Sequence, residues 1–205
     1  MNGTEVARSL EGYASVLREA TQALDRAGIP HLVFGSIATR ALGRPREIRT
    51  DEDIDLFVRP PDAPLALKAL EDGGFVAVED DPTWIHKAKR GAVTVDVIFK
   101  AAGRVYMDDE MFDRGIPTAY LGIAIRLIPA EDLVVMKALL HDENRAFDWF
   151  DALALLERDG LDWDYLVGRA EAYGAQRVLS LLVFAETQEI SVPPQAIERL
   201  RQATS

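Results

Sequence analysis

The sequence predicts an α/β (α+β) chain, a mixed-sheet core over residues 1–128 followed by a C-terminal helical subdomain over residues 129–205. Three observations carry that prediction. Short apolar runs alternate with amphipathic stretches in the first part, and the later runs follow closely enough to pair antiparallel. From Pro129 onward only helical patterns remain.

The chain opens on an amphipathic helix in which Val6, Leu10, Tyr13, Leu17, Ala20 and Leu24 recur at spacings of four and three, with Arg8, Glu11, Arg18 and Glu19 off that stripe. Gly28 and Pro30 end it. "HLVFG" reads as a short buried strand ending at Gly35, and "SIATRALG" as a helix that stops at Gly43. After an arginine-rich loop, "DIDLFVRP" starts a strand, "PLALKALEDGG" a helix behind proline, and "FVAVE" another strand. In "AVTVDVIF" the period of two sets Val93, Val95, Val97 and Phe99 on one face and Thr94, Asp96 and Ile98 on the other. "TAYLGIAIRLI" supplies one or two strands at the sheet edge. "AEDLVVMKALLHDE", "RAFDWFDALALLERDG", "DWDYLVGRAEAYG", "AQRVLSLLVFAETQE" and "PQAIERLRQ" are the predicted helices of the last third, separated by Gly, Pro or acidic breaks.

A chain of 205 residues that is 48% hydrophobic can bury a substantial core. It has no cysteine, which excludes disulfides, thiolate metal sites and cysteine nucleophiles and makes the cytoplasm the expected compartment. The N-terminus lacks the apolar centre of a signal peptide, and no window is long and charge-free enough to cross a bilayer, so no membrane partner is expected. A net charge of -11 weighs against a general nucleic-acid coat. Two local basic runs remain: Arg40, Arg44, Arg46 and Arg49 around a single Glu47, and Lys87, Lys89 and Arg90 in "HKAKR". The plainest reading of each is a set of solvated loop charges.

The chemistry concentrates in "RTDEDIDLFVRP", where Asp51, Glu52, Asp53 and Asp55 crowd the entry to an apolar run. Residues two apart in a strand face the same way, so Asp53 and Asp55 project together with Phe57, while Ile54, Leu56 and Val58 face the opposite layer. Two carboxylates on one half-buried side repel unless a cation lies between them. With oxygen donors alone and no paired histidine, the fitting cation is Mg2+ or Mn2+, which binds carboxylates together with substrate phosphates. Asp96, a charge inside an apolar strand, is the natural third carboxylate. Asp51 and Glu52 are expected as loop charges pairing with Arg49.

Gly35-Ser36 at a strand end, then Asp53-Ile54-Asp55, then Asp96 on a later strand resembles the nucleotidyltransferase superfamily, the group related in fold to DNA polymerase β. The wording "GSIATRALGRPREIRTDEDIDLFV" is similar to the bacterial branch of aminoglycoside and lincosamide nucleotidyltransferases and AbiEii-type toxins. The resemblance implies that the Gly35-Ser36 turn holds a nucleoside triphosphate, that Asp53 and Asp55 hold magnesium, and that Asp96 completes the metal site or acts as general base. It extends to Lys137, Arg145, Asp148 and Asp151 in "KALLHDENRAFDWFD". In that reading Lys137 meets a phosphate, Asp148 or Asp151 orients Lys137 or the acceptor, and Arg49 helps neutralise the triphosphate.

The expected activity is therefore transfer of a nucleoside monophosphate to an acceptor hydroxyl with release of pyrophosphate. The acceptor is left open among a small molecule, tRNA and a protein, and the toxin-like relatives add an antitoxin as a candidate partner. The competing expectation is a catalytically silent nucleotide-binding or partner-binding module of the same fold.

Overall fold

In the computed structural model, which describes residues 3–43, 47–78, 81–140 and 146–205, helix α1 spans Gly3–Arg26 and buries Tyr13, Leu17, Ala20 and Leu24 along one stripe. It ends where Gly28 turns to φ 67°, with Gly28 N donating to Asp25 O and Ile29 N to Leu24 O, both at 3.0 Å. Those two bonds satisfy carbonyls that the helix end would otherwise leave open. Strand β1 (His31–Val33) follows, and Gly35 at φ 60° turns the chain directly into α2 (Gly35–Leu42).

Strand β2 (Ile54–Val58) begins one residue later than the sequence suggests, so Asp53 stands just ahead of it. Helix α3 (Ala63–Asp72) repeats the closing motif of α1, with Gly74 at φ 86° and Phe75 N donating to Leu70 O at 3.0 Å. Strand β3 (Val76–Val78) then leads to β4 (Ile85–Arg90) and β5 (Val93–Ile98). The "HKAKR" run is not a loop: it forms most of β4, paired antiparallel to β3 on one side and to β5 on the other. A short helix α4 (Asp109–Asp113), capped by the Asp108 side chain accepting from Met111 N at 2.8 Å, precedes β6 (Ile116–Tyr120) and β7 (Ile123–Leu127). Leu121 and Gly122, at φ 51° and 73°, form the two-residue hairpin turn between them.

Among the described residues the seven strands order as β3-β4-β5-β2-β1-β7-β6. The β2-β5 and β1-β7 pairs are parallel and the rest antiparallel, which is the mixed sheet that the sequence predicts. The core of this part is Leu32, Val33, Ile54, Leu56, Phe57, Val58, Val95 and Val97 with the inward faces of α1 and α3.

The last third is helical throughout its described part: α5 (Ala130–Leu139), α6 (Ala146–Leu156), α7 (Trp163–Tyr173), α8 (Ala175–Thr187) and α9 (Pro194–Ala203). Helix α5 packs against α6, α7 and α8 and is buried nearly all round, which is why its apolar residues show no single stripe. The chain divides into two units, one of Met1–Ala38, Arg46–Lys100 and Tyr106–Ile128, the other of Thr39–Pro45, Ala101–Val105 and Pro129–Ser205. No helix among the described residues is long and apolar enough to cross a membrane.

Candidate functional site

Strands β1, β2 and β5 and the first turn of α2, all within the first unit, bring four of the predicted residues together: Gly35, Ser36, Asp55 and Asp96. Strand β1 delivers the chain to Gly35 alongside β2, fixed by Phe34 N donating to Asp55 O at 3.1 Å. The Asp55 carboxylate lies against Gly35 so closely that a Cβ on residue 35 would fall inside it. Glycine is thus required twice, by the positive φ and by the approach of a carboxylate. On the other side of β2, the parallel register sets Asp55 directly opposite Asp96 of β5, so the two carboxylates project from one face of neighbouring strands.

The next residue, Ser36, starts the first turn of α2, whose first helical hydrogen bond is Ala38 N to Phe34 O at 3.5 Å. Amides ahead of such a bond have no partner within the helix and favour anions. The Ser36 hydroxyl is buried and makes no hydrogen bond among the described residues. A donor left without a partner in a folded protein is costly unless a ligand completes it.

Asp53 is exposed and makes no ion pair or hydrogen bond among the described residues, whereas Asp96 is buried. Both oxygens of Asp96 accept from the ammonium of Lys87 on β4, at 2.9 and 2.8 Å. Burial pushes the Asp96 carboxyl above the ordinary aspartate range, the Lys87 hydrogen bonds and charge pull it back, and the nearby Asp53 charge pushes it up again. Lys87 is a residue of this site that reading "HKAKR" as loop charges misses. The signal that finds it is register: Lys87 pairs with Asp96 across an antiparallel ladder. Among the described residues no three carboxylate or histidine side chains are gathered closely enough to enclose a metal ion.

Arg49 is exposed and forked onto Asp51, with Nη2 at 2.8 Å and Nε at 3.2 Å, and Glu52 lies 4.0 Å away. Asp51 and Glu52 are therefore the partners of Arg49, as the sequence suggests. Arg44, Arg46 and Arg145 lie outside the described residues. Arg90 leaves the basic run altogether: it pairs with Glu19 at 2.8 Å, donates to Gly73 O at 2.6 Å and covers the Phe75 ring.

Lys137, Asp148 and Asp151 belong to the second unit and form a cluster of their own. The Lys137 ammonium, buried on α5, donates to Asp148 Oδ1 at 2.7 Å and Asp151 Oδ2 at 3.0 Å on α6. Positions three apart on one helical face are what let both carboxylates reach it. A second buried group escaped the sequence: Asp132 accepts from Tyr165 Oη at 2.7 Å and from Arg169 Nε at 2.6 Å. Its members are 33 and 37 positions apart, and no short motif signals them.

Comparison with known proteins bears on this arrangement. Residues 5–186 match the family described as "Uncharacterised nucleotidyltransferase". No curated protein matches the chain. Among solved structures, an antigenic nucleotidyltransferase-like protein from Paracoccidioides brasiliensis is similar in fold, with a TM-score of 0.51 over 95% of this chain and 93% of that one at 16% identity. ANT(2")-Ia in complex with adenylyl-2"-tobramycin aligns over 92% of this chain and 86% of that one, at 19% identity and a TM-score of 0.43. The lincomycin-bound lincosamide antibiotic adenylyltransferase LnuA aligns over 66% and 92%, at 14% identity and a TM-score of 0.46. At those scores neither of the last two adds to the fold assignment. The family match runs through both units, from α1 to the last turn of α8, and the chain belongs to the nucleotidyltransferase family.

Proposed function

We propose that this protein is a magnesium- or manganese-dependent nucleotidyltransferase acting on a nucleoside triphosphate. An acceptor hydroxyl attacks the α-phosphorus in line, the bond to the pyrophosphate oxygen breaks, and the hydroxyl proton passes to a carboxylate. The observation that carries this reading is the buried Ser36 hydroxyl at the start of α2, which has no hydrogen-bond partner among the described residues and is next in sequence to the glycine that Asp55 covers.

The donor chemistry fits a hard divalent cation. Asp53 and Asp55 offer oxygen donors alone, and magnesium commonly takes one or two carboxylates and completes its shell with water and phosphate oxygens. Bound there, the ion supplies charge neutralisation and orientation for the triphosphate. The chain's own residues do the rest: the first amides of α2 and the Ser36 hydroxyl donate to phosphate oxygens, and Asp96 accepts the acceptor's proton. Catalysis of this kind is mostly positioning and electrostatics.

A net charge of -11 favours a small-molecule acceptor over tRNA, and the cysteine-free composition suits the cytoplasm. A protein acceptor, or an antitoxin partner, would mark a toxin-like variant of the same activity. The test is incubation with each α-labelled nucleoside triphosphate and magnesium, together with tRNA, cell-extract protein or a small-molecule panel. Pyrophosphate release with label in one fraction names the acceptor class; nucleotide binding without any release leaves the silent module standing. In the same assay Ser36→Ala separates ligand contact from folding. Its hydroxyl has no hydrogen bond among the described residues to lose, so stability should change by less than about 0.5 kcal/mol, while nucleotide affinity falls about tenfold or more with the phosphate hydrogen bond.

A further inference from the structure

Asp96 sits between two neighbours of opposite charge. Parallel pairing puts Asp55 on one side of it and antiparallel pairing puts Lys87 on the other, both at matched positions. The Lys87 ammonium takes both oxygens of Asp96, and only 9% of the Asp96 side chain is exposed against 30% for Lys87. The lysine is therefore held by strand register on the side of Asp96 away from Asp55, with its cation on both oxygens of the buried carboxylate.

We propose that Lys87 is a positioning residue that stands in for a divalent cation at Asp96. In the nucleotide-free protein it keeps Asp96 beside Asp55 and bars Asp96 from metal, so the resting ion is held by Asp53 and Asp55 alone. A metal ion gains Asp96 only by displacing the ammonium. This rests on the metal-dependent reading above and assigns a residue to it that the acidic motif does not contain.

The consequence is read from Mn2+ binding to the full chain without nucleotide, by calorimetric titration. Lys87→Met removes the competing charge and frees Asp96, so Mn2+ affinity should rise by about tenfold or more. Lys87→Arg keeps the charge and should keep wild-type affinity. Asp96→Asn alone should leave affinity within about twofold of wild type, because the resting ion does not use Asp96, whereas adding it to Lys87→Met should abolish the gain. Melting in chelator and in excess Mn2+ gives a second readout: Lys87→Met should be destabilised in chelator and rescued by the ion. Unchanged or weaker Mn2+ binding in Lys87→Met overturns the proposal. So does a tenfold loss from Asp96→Asn alone, an arm that decides the question even where Lys87→Met folds poorly. If no chain binds Mn2+, wild type included, the metal-dependent reading fails and this inference with it.

Discussion

A chain carrying Asp53→Asn and Asp55→Asn together is expected to fold and to lose nucleotidyl transfer by at least about a thousandfold. Asp53 is exposed and holds no partner among the described residues, so its amide costs folding little. Asp55 keeps its shape as asparagine and still fits against Gly35. What disappears is charge: that of Asp55 on the face that Asp96 shares, and that of Asp53 just ahead of β2 and near Asp96. Asp55 is half-buried beside the buried Asp96, where solvent replaces a missing charge less well than on an open surface. The measurement is magnesium-dependent pyrophosphate release beside a thermal melt of the same preparation. Undiminished release from a folded double variant would end the assignment of these carboxylates.

Lys137→Met is expected to carry the largest cost in stability, about 3–5 kcal/mol. Its ammonium lies between Asp148 and Asp151 with only 8% of the side chain exposed, and methionine leaves both carboxylates without that cation. Methionine matches the length and packs well among the Leu and Val of α5, so the loss reports charge rather than a cavity. Adding Asp148→Asn and Asp151→Asn should recover most of it, because removing every buried charge of a cluster is far cheaper than stranding some. Urea unfolding of the single and triple variants checks this. A single-variant loss below about 1 kcal/mol would mean the cluster is not a buried ion pair in solution. Nucleotide affinity of the triple variant tests the phosphate role that the sequence suggests for Lys137: an unchanged value withdraws it.

Much of the fold was legible because its signals are local. The stripe in α1, the glycines that close α1 and α2, the Pro129 boundary of the helical third and the period of two in β5 each involve residues within a few turns or pleats of one another. Parity placed Asp55 and Asp96 correctly, since each strand fixes its own faces before any pairing is known. Strand β4 was not legible. Its "IHKAKR" alternates cations with a histidine and an alanine, a pattern that polar loops share. What makes it a strand is two flanking ladders and acceptors brought from elsewhere: Asp96 for Lys87, Glu19 and Gly73 O for Arg90. The Asp132, Tyr165 and Arg169 group was hidden for the same reason. Buried charge is specified by tertiary neighbours, and a neighbour 37 positions away leaves no trace in a sequence window.

Strand β2 is the fourth of the seven in the sheet order, with three strands on either side. Local opening in a folded chain starts at frayed edges and poorly covered segments, and reaches central strands only when the unit comes apart as a whole. The amides flanking Asp55 should therefore be among the last in this unit to exchange with deuterium. Strands β3 and β6 can breathe on their own timescale without altering the spacing between the two carboxylates of β2 and β5. The acidic face is thus set at the slowest point of a moving sheet, where its geometry persists as long as the fold does.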